Sequence, residues 1–457
     1  MTFKPGNTIG SVLPEAVRNT AMYFRINEKY KIIRQPYGAA IWDMSRHDYL
    51  VTNHTGRCIL EACDGTVQLG DIISRVKASF RSKESVLAQA TEDVRVFAEQ
   101  ALRNGLISQF AKSYEGQVSV KGSVDQLSII RAEISVTDKC NLRCSYCCAE
   151  SEPASHSHDL TTLQWIHVFN LLKTAGLRKV TITGGEPLVR SDIRVLLKWL
   201  CENHIAVSLL SNGMLINEST ADFLAHLGNL IEVKISVDAI KNPRLHDAER
   251  GDGSCQRAVR ALSVLRDYGI PTVVNMTVHR LNISELHFLA EWCSKHGHQI
   301  EASPITLEGR ALQDYCLSPE EEASFWQNHE KAILKHPGAV VAATTEYFPV
   351  WSPEYKCALI YGAVGVSAQG KLLPCLRAES FFSSLQLGLE STDDLTSLRE
   401  FVIEDTDLYS IIRPIYSCFV PSTEICLSCE YLMRYCNGCV VAQHAMQHRG
   451  LCVREDL

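Results

Sequence analysis

The sequence predicts an α/β protein, on three observations. Between residues 130 and 305, six apolar, β-rich runs alternate with longer helical stretches. Ahead of them stand three short β-type runs followed by three helical patterns. Beyond about residue 340 the periodicity fades, and turns and cysteines take over. Six strands with intervening helices argue for a parallel array, either a barrel or an open sheet; spacing alone does not choose.

The elements follow in order. Residues 1–24 read as an irregular lead-in. From Tyr30 to Asn53 the runs KIIRQ, GAAIWDM and HDYLVTN read as small antiparallel strands. Thr52 to Cys63 reads as a helix with Asn53 as a candidate N-cap, and Gly65 breaks the chain. Helical patterns follow at about 69–80 and 86–104. The second places Leu87, Ala90, Val94, Phe97 and Ala101 at helical spacing and stops at Gly105. The polar stretch SYEGQVSVKGSVDQ, 113–126, suits a linker. In the array, strands are expected at 130–136, 179–184, 206–211, 233–238, 271–278 and 299–305. Helices are expected at 162–175, 191–203, 217–227, 256–268 and 283–296. A loop-rich tail dense in thiols points to metal rather than a large apolar core.

Composition narrows the function. The 457 residues include 45 basic and 52 acidic side chains, a net charge of −7 without blocks of like charge. Nucleic acid and anionic membrane are therefore not expected as partners. The start, MTFKPGNTIGSVLPEA, lacks the apolar core of a signal peptide, and no apolar run approaches the ~18 residues of a membrane span. A cytoplasmic protein is expected. In that reducing compartment the 18 cysteines point to metal ligation or catalysis before disulfides.

Just past the first strand of the array comes Cys140-Asn141-Leu142-Arg143-Cys144-Ser145-Tyr146-Cys147. Strand ends of parallel α/β domains face active sites. Three thiolates in one loop can hold three irons of a [4Fe–4S] cube and leave the fourth open. A zinc site with a distant fourth ligand is the competing reading. The C-x3-C-x2-C pattern, with Tyr146 before the third cysteine, resembles the radical S-adenosylmethionine (SAM) family. Thr183-Gly184-Gly185-Glu186-Pro187 resembles that family's GGEP motif, which binds the amino group of SAM; its glycines are expected to let backbone carbonyls approach the ligand. Ser211-Asn212-Gly213 and Ser236-Val237-Asp238 match polar strand-end residues around the cofactor. Arg250, in HDAERGDGS, resembles an arginine that pairs with the SAM carboxylate, and Asn275 is a further candidate. Singly, each is more often a cap or turn former; four motifs in order at successive strand ends carry the resemblance. The resemblance implies a partial (β/α)6 radical SAM barrel over 128–315.

The C-terminal cysteines extend the resemblance. Cys357, Gly370 and Cys375, then Cys426-x2-Cys429-x6-Cys436-x2-Cys439, and finally Cys452, resemble the SPASM domain, a loop-rich extension with two auxiliary iron–sulfur clusters. A zinc ribbon is the alternative for the paired CxxC units, but six residues are short for its spacing. The SPASM pattern expects a ligand where Tyr435 stands; Cys436 follows one place later. By analogy Cys357, Cys375 and Cys439 hold one cluster, and Cys426, Cys429, Cys436 and Cys452 the other. Cys418 or a substrate thiolate would complete the first. Sulfatase-maturing relatives carry an aspartate base where this chain has Leu376, which disfavours that activity.

Residues 25–112 resemble the RiPP recognition element (PqqD-like, winged-helix-like) that binds the leader of a ribosomally synthesised precursor peptide by strand addition. The carrying features are the three strands, NHTGRCILEACDGTVQLGDII, and a final helix ending in LRNGLIS. Together the three modules (25–112, 128–315 and 350–457) imply a radical SAM peptide maturase with three [4Fe–4S] clusters. Such an enzyme cleaves SAM reductively to a 5′-deoxyadenosyl radical that takes hydrogen from the peptide. A flavodoxin- or ferredoxin-type protein would supply the electron. A thioether or carbon–carbon crosslink is the first expectation. Epimerisation, with Cys316 or Cys418 as hydrogen donor, is an alternative, as is maturation of a folded protein or a quinone-cofactor precursor. A non-catalytic iron–sulfur or zinc protein is the reading from another class, and it gives Glu186 and Arg250 no purpose.

Overall fold

The computed structural model describes residues 22–35, 38–79, 84–114, 116–125, 128–153, 159–341, 362–373 and 376. They fall into two compact units, one drawn from 1–126 and one from 127 onward.

The first unit begins with β1 (Tyr23–Ile26), then β2 (Tyr30–Gln35), β3 (Gly38–Asp43) and β4 (Asp48–Asn53). The last three form the expected antiparallel meander. Its β3–β4 turn is shaped by Asp43, whose Oδ1 accepts from the Ser45 N–H (2.8 Å), the Ser45 hydroxyl (2.6 Å) and the Arg46 N–H (3.2 Å). Helix α1 (His54–Ala62) follows, and the Asn53 side chain caps it by accepting from the Gly56 N–H at 3.0 Å. Next come β5 (Asp64–Gln68), α2 (Leu69–Ser79), α3 (Glu84–Arg103), β6 (Ile107–Phe110) and β7 (Val120–Gly122). Buried Phe24, Ile32, Ile41, Ile59, Leu60, Ile72 and Phe97 form the core.

Two expectations need correction here. The lead-in, the Gly65 break and the segment after α3 contribute β1, β5 and β6, a second, three-stranded sheet in the order β5-β1-β6. The stretch read as a linker contains β7, which runs parallel along the β2 edge of the meander; the sheet order is β4-β3-β2-β7. These strands are three to five residues long and pair with distant segments, so they leave too little alternation to read.

The second unit is built on β8 (Arg131–Ser135), β9 (Lys179–Thr183), β10 (Ala206–Ser211), β11 (Leu230–Ser236), β12 (Thr272–Val278) and β13 (Gln299–Pro304). They are the six expected strands. Each pairs in parallel with its chain neighbour. The connecting helices are α4 (Thr162–Thr174), α5 (Ile193–Glu202), α6 (Glu218–Ala225), α7 (Pro243–Arg250), α8 (Ser254–Asp267) and α9 (Glu285–His296). Helix α5 shows why they lie on the sheet: it buries Ile193, Leu196, Leu197, Leu200 and Cys201, a helical-period stripe. Helix α4 starts at a reciprocal Thr161–Gln164 capping box.

Two helices escaped the sequence reading, α7 and α10 (Pro319–Lys335). Helix α7, PRLHDAER, buries His246, Glu249 and Arg250 in place of an apolar stripe. The tail after residue 340, expected to be loop-rich, also contributes strands. There β14 (Ala363–Val366) runs parallel to β8, and β15 (Leu372–Leu373) returns antiparallel to it. Gly370 makes the turn between them at φ +82°. Among the described residues, no helix is long and apolar enough to cross a membrane.

Candidate active site

The site forms where β8–β11 end. The chain leaves β8 into the loop carrying Cys140, Cys144 and Cys147. Arg190 steadies its root: this buried guanidinium donates to the carbonyls of Val136 (2.8 Å) and Leu160 (3.0 Å) and pairs with Asp192 (2.8 Å). The loop folds back on itself through a Cys140 N–H bond to the Glu152 carbonyl, 3.3 Å. Within it, the Leu142 N–H lies 3.4 Å from the Cys140 sulfur. Cys140 is buried, and Cys144 and Cys147 are half-buried.

Gly184 and Gly185 lie against this loop. A Cβ on Gly184 (φ +142°) would fall 2.4 Å from the Thr137 carbonyl oxygen; one on Gly185 would fall 2.2 Å from that of Lys139. The space they leave is filled by the cysteine loop's own backbone. The Gly185 N–H donates to Thr137 (2.7 Å) and the Glu186 N–H to Lys139 (2.9 Å). The glycines thus dock the loop onto the end of β9.

Beyond them Glu186 is fully buried, and Pro187 opens a short 3-10 turn. One Glu186 oxygen accepts from the Ser211 hydroxyl (2.9 Å) and the Leu188 N–H (3.1 Å), the other from the Asn212 N–H (2.7 Å). Burial outweighs these bonds and pushes the carboxyl up to about 7. Asn212 joins this carboxylate to the loop: its amide donates to Asn141 at 2.7 Å and lies 3.8 Å from the Cys140 sulfur. Four of the expected strand-end residues therefore meet at one place.

Asp238, just past the end of β11, heads a second network. It is fully buried and accepts from Arg250 Nε (2.6 Å), Arg250 Nη2 (3.3 Å), the Thr277 N–H (3.1 Å) and the Tyr146 hydroxyl. Burial works to raise its pKa; Arg250, foremost, overcomes that and holds it below the ordinary carboxylate range. His246 is pushed down to about 4 by burial, so its neutral Nδ1 accepts the Asp238 N–H at 3.1 Å. Arg250 also lies 5.5 Å from the Tyr146 ring centroid. On the other side of Tyr146, the Ser145 N–H donates to the Glu249 carbonyl at 3.0 Å and its hydroxyl to the Glu249 carboxylate. Arg250 thus binds Asp238, and both lock the loop through Tyr146. Ser236 is buried and Asn275 half-buried; the two pair in register on β11 and β12.

The donor set fits an iron–sulfur cluster. Burial pushes the Cys140 thiol up to about 11, with Glu186, Cys144 and Cys147 adding to the rise. Burial also raises Cys144, while Arg250 and Arg310 act the other way. Such thiols become ligands when a metal replaces their protons. Among the described residues no three His, Cys, Asp or Glu side chains lie close enough to grip one metal ion. A cube bearing one thiolate per iron needs wider spacing than zinc does.

Sequence reasoning missed Asn141, His246, Glu249 and Arg310, all of which touch the loop or its anchors. Asn141, Glu249 and His246 stood near recognised residues, and none of the four carries a spacing signal. The expected ligands Cys357, Cys375, Cys418, Cys426, Cys429, Cys436, Cys439 and Cys452 lie outside the described residues.

Comparison with known proteins agrees with this geometry. The radical SAM superfamily matches residues 134–293, and coenzyme PQQ synthesis protein D (PqqD) matches 38–107. The chain is similar to the sporulation killing factor maturation protein SkfB of Bacillus subtilis (strain 168): 28% identity over 284 residues, 62% of this chain and 66% of SkfB. It is also similar to the antilisterial bacteriocin subtilosin biosynthesis protein AlbA of the same organism, at 26% over 380 residues, 79% of this chain and 82% of AlbA. The crystal structure of Streptococcus suis SuiB bound to S-adenosylmethionine shares the fold, with a TM-score of 0.58, 16% identity, and coverage of 92% of this chain and 96% of SuiB. With its three-cysteine loop set at the ends of parallel strands, the chain belongs to the radical SAM superfamily and carries a PqqD-like RiPP recognition element ahead of its core.

Proposed function

We propose that this protein is a peptide maturase that uses SAM to modify a ribosomally made precursor. The observation that carries the reading is a PqqD-like domain in the same chain as the Cys140/Cys144/Cys147 loop, which lies beside the buried Glu186. When bound at that loop, a [4Fe–4S] cluster and SAM together supply a 5′-deoxyadenosyl radical. The chain's own residues orient the reactants. Glu186, poised near 7 by burial, gains most from a cationic partner, and that favours it as the acceptor for the SAM ammonium. Arg250 has donors beyond the two given to Asp238, which suits it to a carboxylate. Ser211, Asn212, Ser236 and Asn275 are the polar groups at hand for the rest of the cofactor.

The precursor's leader would add to the free edge of the meander. Among the described residues β7 covers the β2 edge while β4 ends the sheet, so β4 is the candidate edge. A leader held there raises the effective concentration of the core peptide. Relatives named for killing-factor maturation and subtilosin biosynthesis, and SuiB, whose structure is also known bound to precursor peptide SuiA, support a peptide substrate. A thioether or carbon–carbon crosslink is the product class we favour, with two auxiliary clusters on the C-terminal cysteines of a SPASM domain to take the surplus electron. A flavodoxin- or ferredoxin-type donor in the cytoplasm would reduce the system.

The test is anaerobic. Reduced, reconstituted protein should convert SAM to 5′-deoxyadenosine, and Cys144→Ala should abolish the conversion. Three clusters would give on the order of 10–12 irons per chain and one cluster about four. Deleting residues 1–112 should stop peptide processing while leaving SAM cleavage in place; unchanged processing would remove the leader-binding role.

A further inference from the structure

The cysteine loop is braced from one more side, by a segment that no motif marks. After β13 the chain turns through Gly309 and Arg310 and meets the loop that follows β8. The Arg310 N–H donates to the Cys147 carbonyl (3.0 Å). Its guanidinium donates through Nε to the Cys144 carbonyl (2.9 Å) and through Nη2 to the Ser151 carbonyl (2.7 Å). Gly309 makes the approach possible. At φ +55° a Cβ there would stand 2.4 Å from the Cys147 carbonyl oxygen and 2.5 Å from that of Cys148. Both contacts are with backbone, which cannot swing aside.

Two features set Arg310 apart from a routine loop arginine. All three of its bonds go to carbonyls of one short segment, which contains two of the three cysteine ligands. Among the described residues no carboxylate pairs with it, in contrast to Arg250 and Arg190.

We propose that Arg310, seated by Gly309, is a positioning residue for the cluster: it fixes the 144–151 backbone and places a positive charge next to the segment that carries the thiolate ligands. The proposal rests on reading Cys140, Cys144 and Cys147 as iron–sulfur ligands. It assigns two effects to one side chain. The hydrogen bonds hold the ligands in register, so their loss lowers cluster retention. The charge stabilises the reduced, more negative cluster, so its loss lowers the reduction potential.

The experiment compares Arg310→Gln, Arg310→Lys and Gly309→Ala with the unaltered full chain, each checked for folding by far-UV circular dichroism. After anaerobic reconstitution and desalting, the cluster is followed by its SAM-sensitive electron paramagnetic resonance signal, and its midpoint potential is found by redox titration. Arg310→Gln should retain less than about half the signal, and what remains should titrate at a lower potential. Arg310→Lys should restore the potential better than the retention, because it keeps the charge without the fork. Gly309→Ala should lose retention with the potential unchanged. Hydrogen exchange of the 141–152 amides in the cluster-free chain should be at least roughly tenfold faster in Arg310→Gln, the factor for losing one charged hydrogen bond. Retention and potential that match the unaltered chain in Arg310→Gln would overturn the proposal. If the unaltered chain takes up zinc and no iron, the cluster reading itself fails. The exchange measurement then decides the bracing role alone, and unchanged exchange overturns it.

Discussion

The strand ends of the second unit and the meander of the first treat polar groups in opposite ways. At the strand ends Glu186 and Asp238 are fully buried, with Arg250 at 9% and His246 at 1% exposure. Asp238 bonds to Arg250, to His246 and to Tyr146 of the cysteine loop, and the Glu186 N–H donates to Lys139 of that loop. In the first unit the interior is apolar, from Phe24 through Phe97. Its ion pairs keep at least one member partly exposed; Arg34 and Glu61 meet at 2.8 Å with side-chain exposures of 41% and 18%. A small domain that only needs to hold a sheet edge open can rely on apolar packing. A buried ionic network is weak as a stabiliser against an apolar equivalent, so its presence marks the place where chemistry needs fixed charge.

Substitutions can break that contrast, most strongly at Asp238. Asp238→Ala strands the Arg250 guanidinium and frees the Tyr146 hydroxyl in a dry interior. It should lower the unfolding free energy by roughly 3–5 kcal/mol in urea titrations of the cluster-free chain. A loss below about 1 kcal/mol would mean that water reaches the pair.

A smaller effect is expected at Glu186, and it carries a pH signature. Burial raises this carboxyl from 4.5 to about 7 in the folded chain, so the folded state binds the proton more tightly than the unfolded one. Its contribution is complete below pH 4.5 and lost as pH rises toward 7. Relative to Glu186→Gln, the unaltered chain without SAM should lose roughly 3 kcal/mol of stability across that window. A pH-independent difference would show that Glu186 is ionised throughout. At the other pole, Asn53→Ala removes one cap bond from α1 and should cost about 1 kcal/mol, with no pH dependence near neutrality. An effect of 3 kcal/mol there would mean that the cap also holds the end of β4 in place, and the contrast between the regions would soften.

Legibility divided along the same physical line. The strands β8–β13 were readable because parallel strands covered on both faces become continuous apolar runs, as in VTIT of β9 and VSLL of β10. The α1 cap was readable because Asn53 acts on its own sequence neighbours. What stayed hidden acts across long separations. Strand β7 takes its identity from β2, and α7 is held by buried charges instead of an apolar stripe. The cysteines, Glu186 and Asp238 were visible as motif members. Arg310 was not, since nothing in its local sequence shows that it will meet carbonyls more than 150 residues earlier. The glycines of the GGEP segment were visible as motif members, and their close neighbours are backbone atoms of the cysteine loop.

One feature of the sheet bears on how the chain is made. Strands β8 to β13 pair strictly with chain neighbours, so they can zip together as they leave the ribosome. The outer edge of β8 is the exception, since among the described residues it is covered by β14, about half the chain later. Until then a bare parallel edge, beside the loop that must receive iron, is open to pairing with other nascent chains.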